Sequence, residues 1–87
     1  MKHATSVALD ELEPLLAQLR ALQGLQERSR GVFYRRSKAF LHFHEDPAGL
    51  FADVRNASGD FDRIKVSDGE GQGALLALVA QRLTDAV

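Results

Sequence analysis

The sequence predicts an α+β domain. The expected form is a two-layer sandwich in which a four-stranded antiparallel meander carries an N-terminal and a C-terminal helix on one face, in the order α-β-β-β-β-α. Three observations predict it. Leucines recur at helical spacing near both ends of the chain. Between them, residues 31–66 form runs rich in aromatic and apolar residues separated by turn sequences. Pairing those runs through their turns collects apolar residues on one face, which the two helices must cover.

The first helix is expected over residues 10–23, where Leu12, Leu15, Leu16, Leu19 and Leu22 share a stripe. Asp10 followed by Glu13 has the form of a capping box, Pro14 falls in the first turn, and Gly24 is a natural stop. Gly31-Val32-Phe33-Tyr34 and Ala39-Phe40-Leu41-His42-Phe43-His44 read as a hairpin joined at Arg35-Arg36-Ser37-Lys38. Asp46-Pro47-Ala48-Gly49 is a turn because proline pre-sets φ and glycine accepts φ > 0. Leu50–Arg55 is the third strand, Asn56–Asp60 turns the chain, and Phe61–Val66 is the fourth. Ser67 with Glu70 forms a second capping box for a helix over 68–84. That helix carries Leu75, Leu76, Val79 and Leu83 on one stripe and is loosened at its start by Gly69, Gly71 and Gly73.

With Arg36-Ser37 as a two-residue loop, Phe33 falls opposite Phe40 and Val32 opposite Leu41. The later turns set His42 opposite Asp53, Asp53 opposite Arg63 and Arg55 opposite Phe61. One face then holds Val32, Tyr34, Ala39, Leu41, Phe43, Leu50, Ala52, Val54, Ile64 and Val66, with Asp62 intruding at the rim. The opposite face holds Phe33, Phe40, Phe51 and Phe61 among His42, His44, Asp53, Arg63 and other polar residues. A sheet face that merely meets water carries more Thr, Lys, Glu and Gln, so exposed aromatics here mark a contact surface.

The 87 residues form a single domain, 1–87, and a chain this short buries only ~60–65 % of its unfolded surface. It has room for one core and little for a deep catalytic cavity. Hydrophobic residues at 45 % and charged residues at 26 % are ordinary for a folded chain. A net charge of −1 supplies no global field for nucleic acid or an anionic membrane. The absence of cysteine removes disulfides, thiol nucleophiles and zinc–thiolate sites, and favours a cytoplasmic protein. No signal peptide is expected at the start, and no run approaches a membrane span.

His42-Phe43-His44 on a strand places both imidazoles on one face with Asp53 across from His42, the donor types of a facial metal triad. The competing arrangement pairs Asp53 with Arg63, whose charge opposes a second cation; on that reading no metal and no cofactor is expected. Arg35, Arg36 and Lys38 cluster at the hairpin tip, with Arg28 and Arg30 just before it. Beside Phe33, Tyr34 and Phe40 this has the make-up of a single-stranded nucleic-acid surface, though a charged tip also keeps a hairpin edge unpaired. No G-x-S-x-G, P-loop or H-E-x-x-H occurs, so no catalytic residue is assigned.

From Leu22 to Leu78 the chain resembles small bacterial α+β domains. Leu22-Gln23-Gly24-Leu25-Gln26-Glu27, Ser37-Lys38-Ala39-Phe40-Leu41-His42, a turn, an alternating strand and a closing helix are similar in layout to the YjbR/MmcQ family. The resemblance implies a compact α+β fold, a DNA-binding role as suggested for that family, and no established enzyme activity. It carries over no functional residue. The expectation is therefore a non-enzymatic binding or self-association module using the Phe-rich face, with a homodimer as the simplest arrangement. Nucleic-acid binding, or a ligand site at His42, His44 and Asp53, are the alternatives.

Overall fold

In the computed structural model, which describes residues 1–84, Pro14 divides the first leucine run into two helices. Helix α1 (Ser6–Glu11) and helix α2 (Glu13–Arg20) meet at Leu12, where φ is −91° and ψ 1°. Proline has no N–H to donate to the carbonyl of Asp10, so the ladder is interrupted there. The helical run thus begins four residues before the expected Asp10, and Asp10 caps nothing. Its carboxylate instead accepts from Arg30 at 2.8 Å. Leu12, Leu15, Leu16 and Leu19 are all buried as their spacing requires. The chain turns away just beyond α2, with Gly24 at φ +101°, a conformation glycine adopts without strain.

The sheet has six antiparallel strands rather than four. They are β1 (Lys2–His3), β2 (Gln26–Ser29), β3 (Val32–Arg35), β4 (Lys38–Asp46), β5 (Gly49–Arg55) and β6 (Phe61–Lys65). Strands β2 to β6 lie in sequence order, and β1 pairs with β4 through Lys2–Glu45 and His3–His44. Helix α3 (Gly69–Thr84) closes the chain on the same side as α1 and α2. Its N-cap is Asp68, whose carboxylate accepts from Gly71 N–H at 2.9 Å. The expected cap, Ser67, is occupied elsewhere: its hydroxyl accepts from Leu50 N–H at 3.0 Å. Gly71 is required by contact, because a Cβ there would lie 2.1 Å from the Lys65 carbonyl oxygen. Among the described residues no helix is long and apolar enough to cross a membrane.

The registers of β4 with β5 and of β5 with β6 are as expected, including His42–Asp53, Asp53–Arg63 and Arg55–Phe61. The register of β3 with β4 is not. Arg36 and Ser37 do form the two-residue loop, at φ 52° and 69°. Beyond Tyr34–Ala39, however, the next pair is Phe33–Leu41, so Phe40 is an extra residue on β4. Such a bulge shifts the register by one and exchanges the faces of the partner strand.

Phe33 therefore shares the face of Leu41 and is 1 % exposed, and Phe40 is drawn into the same core at 3 %. Both were expected on the open face, and both lie beneath the helices. Arg35 follows Phe33 to the helix side, where its guanidinium donates to the carbonyl of Arg82 at 2.9 Å, near the negative end of α3. Asp62, also on the helix side, pairs with Arg82 at 2.6 Å and so satisfies its charge at the rim. The core joins the four α2-side leucines to Phe33, Phe40, Leu41, Phe43, Ala52, Val54, Val66, Leu75 and Val79. Leu50, Ile64, Leu76 and Leu83 pack against it half-buried.

Candidate metal centre

The helix-free face is ordered by the pleat of β4. In His42-Phe43-His44, Phe43 enters the core at 3 % exposure, so both imidazoles must emerge on the other side. The neighbouring strands then add residues around them. Asp53 of β5 faces His42, Arg63 of β6 faces Asp53, Phe51 of β5 faces His44, and His3 of β1 faces His44 from the other edge. Three imidazoles and one carboxylate are thereby set side by side by backbone pairing alone.

Asp53 is the centre of the group and, at 6 % exposed, is the one buried charged residue among the described residues. Its Oδ1 accepts from Arg63 Nε at 2.8 Å and its Oδ2 from Arg63 Nη2 at 2.9 Å, a bidentate pair. The same Oδ2 lies 3.1 Å from His44 Nε2 and 3.5 Å from His42 Nε2. The hydrogen bonds from Arg63 hold the Asp53 carboxyl below the ordinary carboxylate range despite its burial, so it is ionised. Burial first, and then the neighbouring His44, push His42 below the ordinary imidazole value, so at neutral pH its ring is uncharged and keeps a lone pair.

His44 is the unresolved member. Its Nε2 approaches Asp53 without the alignment of a hydrogen bond, and both of its ring nitrogens are buried with no hydrogen-bond partner among the described residues. Buried polar atoms are otherwise almost always satisfied, by protein, water or an ion. His42 stands edge-on to His44 with ring centres 4.9 Å apart, and His3 stacks on His44 at 4.9 Å and lies 6.0 Å from His42.

The aromatic and basic residues are more dispersed than their sequence positions imply. Of the four phenylalanines expected on this face, Phe51 and Phe61 remain. Phe61 is 37 % exposed and carries the His42 ring edge-on at 5.1 Å and the Arg55 guanidinium at 4.7 Å. Of the basic hairpin, Arg35 turns beneath α3, whereas Arg36 and Lys38 are exposed at the loop. Arg28 lies over Tyr34 at 4.2 Å, and Arg30 is bound to Asp10 and Glu13. The structure thus brings together His42, His44, Asp53 and Arg63 as their registers require, adds His3, and separates Phe33, Phe40 and Arg35 from them. Nothing in the sequence marks His3, because a two-residue strand has no periodicity to read.

Chemically, the group supplies two imidazole nitrogens and a carboxylate oxygen whose ligand atoms lie within 4.8 Å of one another. An ion at the usual distances of ~2.0–2.2 Å from nitrogen and oxygen donors has ligand-to-ligand edges of roughly 3.0–3.5 Å. The two contacts to Asp53 Oδ2 already fall in that range. Arg63 does not use up the carboxylate, because each oxygen has two lone-pair directions and Arg63 takes one on each. It fixes the carboxylate's orientation, the part that outer partners play at metal sites.

No protein-family model matches this chain, and neither the curated proteins nor the solved structures contain a significant match to it.

Proposed function

We propose that this protein is a small binding module whose working surface is the helix-free sheet face, and that His42, His44 and Asp53 there hold a divalent first-row transition metal ion. The observation that carries this reading is His44, with both ring nitrogens buried and unpartnered beside an ionised carboxylate. A cation seated among His44, His42 and Asp53 would take up one of those two nitrogens, Nε2 lying 3.1 Å from Asp53 Oδ2, and offset the buried negative charge. Imidazole with carboxylate suits zinc, nickel, copper or iron better than calcium or magnesium, which prefer all-oxygen sites. Self-association through this face draws less support than the sequence alone gives it, because Phe33 and Phe40 belong to the core.

The test is calorimetric titration of the apo-protein with zinc and with nickel, alongside His44→Ala. The expected result is one ion bound per chain, released by a chelator, with binding lost in H44A while its far-ultraviolet circular dichroism stays that of the parent. Should H44A fold poorly, His42→Gln takes its place, since His42 is the more exposed of the two. Absence of binding in the parent, or equal binding in both variants, overturns the reading.

A further inference from the structure

We infer that His3 is the fourth ligand of this site and that strand β1 is a clasp which the ion closes over the sheet. The inference rests on the metal reading above and adds to it a ligand and a conformational consequence. Its ground is the placement of His3. The His3–His44 register brings a third imidazole to the rim of the cluster, stacked on His44 at 4.9 Å. Arg63 borders the group on the β6 side, where its guanidinium is bound to Asp53; the His3 side brings a further imidazole donor. His3 is exposed, so its ring is free to turn a nitrogen toward an ion held by the other three residues. Two imidazoles and a carboxylate leave one position of a tetrahedron open, and a third imidazole fills it, which makes the site a closed one.

Strand β1 is lightly held without that ion. It has two residues, both exposed. Beyond its two ladder pairs, the attachments of the segment include the Ala4 N–H to the Phe43 carbonyl at 3.1 Å, the Thr5 N–H to Glu45 Oε1 at 3.1 Å, ion pairs of Lys2 with Glu45 at 3.8 Å and of the Met1 amino group with Asp46 at 3.6 Å, and the small side chain of Ala4 against the core. Surface ion pairs of that length contribute little. No large apolar side chain of β1 is buried, so the strand's docking is poised to depend on one added bond. An ion linked to His3 ties β1 to β4 and β5. By linkage, it binds more tightly when β1 is docked and docks β1 more firmly when bound. Thr5 immediately precedes α1, so the constraint passes to the first helix.

The experiment uses the full chain and zinc as the probe. Zinc affinity is measured by competition with a chromophoric chelator for the parent, His3→Ala and Lys2→Ala. Amide hydrogen exchange at Ala4 and Thr5 is followed with and without zinc, and cobalt(II) absorption reports the coordination geometry. The expected result is that H3A weakens zinc binding by about 10-fold or more and shifts the visible bands of bound cobalt, as a water takes the place of the imidazole. Zinc should slow exchange at Ala4 and Thr5 in the parent but not in H3A, and K2A should bind as the parent does. If H3A binds zinc as tightly as the parent and exchange at Ala4 and Thr5 does not respond, the clasp is refuted while the three-ligand site stands. If the parent binds no zinc, both the site and the clasp fall.

Discussion

The two faces of the β4–β5 hairpin are built from alternate residues of the same strands, and they are held together by different physics. On the helix side, Leu41, Phe43, Ala52 and Val54 are 3 % exposed or less and meet leucines of α2 and α3. Stability there follows from area removed from water, ~25 cal/mol per Å² of apolar surface, and from close packing. On the other side, His42, His44 and Asp53 are enclosed by one another, by Arg63 and by the rings of His3 and Phe61. Little apolar area is buried there, and the identity of each donor and acceptor decides the outcome. A region stabilised by area tolerates chemically different residues of similar volume; a region built on directed polar groups does not. The helix side is accordingly the scaffold and the open side the site.

The contrast is sharpest between two phenylalanines. Phe33→Ala opens a cavity in the helix-side core and is expected to cost about 3–5 kcal/mol, a large share of a small domain's stability. Chemical denaturation measures it, and a loss no greater than that of a surface substitution would return Phe33 to the open face and dissolve the bulge at Phe40.

An intermediate case is the ion-pair network that borders the helix side. Glu27 accepts from Arg20 Nε at 2.6 Å and from the Gly31 N–H at 2.9 Å, tying the loop before β3 to α2. The hydrogen bond from the Arg20 guanidinium holds the Glu27 carboxyl below its ordinary value. A carboxyl whose pKa is lower in the folded chain contributes fully above its unfolded pKa, near 4.5, and the contribution is lost as pH falls through the lower folded value. The parent should therefore lose thermal stability on acidification below that point. Glu27→Gln should melt lower at neutral pH and lose less of its stability on acidification. Parallel melting curves for the two chains across that pH range would remove Glu27 from the account.

The smallest effect belongs to the open face. Phe61→Ser removes an exposed ring with one cation and one imidazole against it, and is expected to cost about 0.5–1 kcal/mol. A loss on the scale of Phe33→Ala would show that the face is covered in solution, and would revive self-association through it.

Much of this was legible in the sequence where turns are explicit. Asp46–Gly49 and Asn56–Asp60 fix the registers of β4, β5 and β6, and with them the meeting of His42, Asp53 and Arg63. The β3 register was not, although its loop was identified. Counting from a turn assumes an uninterrupted ladder, and Phe40-Leu41 places two large apolar residues in succession on a strand that alternates. Only a bulge buries both, so that succession is itself the signal. Strands β1 and β2 are too short or too polar to show a period; β2 is Gln26-Glu27-Arg28-Ser29. At the site, a metal triad and an Asp53 paired with Arg63 beside the histidines read as competitors in the sequence. In the fold Asp53 is paired bidentately with Arg63 and still has both histidines within 3.5 Å, because a carboxylate has room for a bidentate arginine and further neighbours.

The most direct test of the account is a zinc titration of the parent followed through the imidazole signals of His42 and His44 by nuclear magnetic resonance. The account expects both rings to shift together, saturating at one ion per chain, reversing with a chelator, and vanishing in His44→Ala. Rings that stay unmoved as zinc is added, or that shift equally well in H44A, would contradict it.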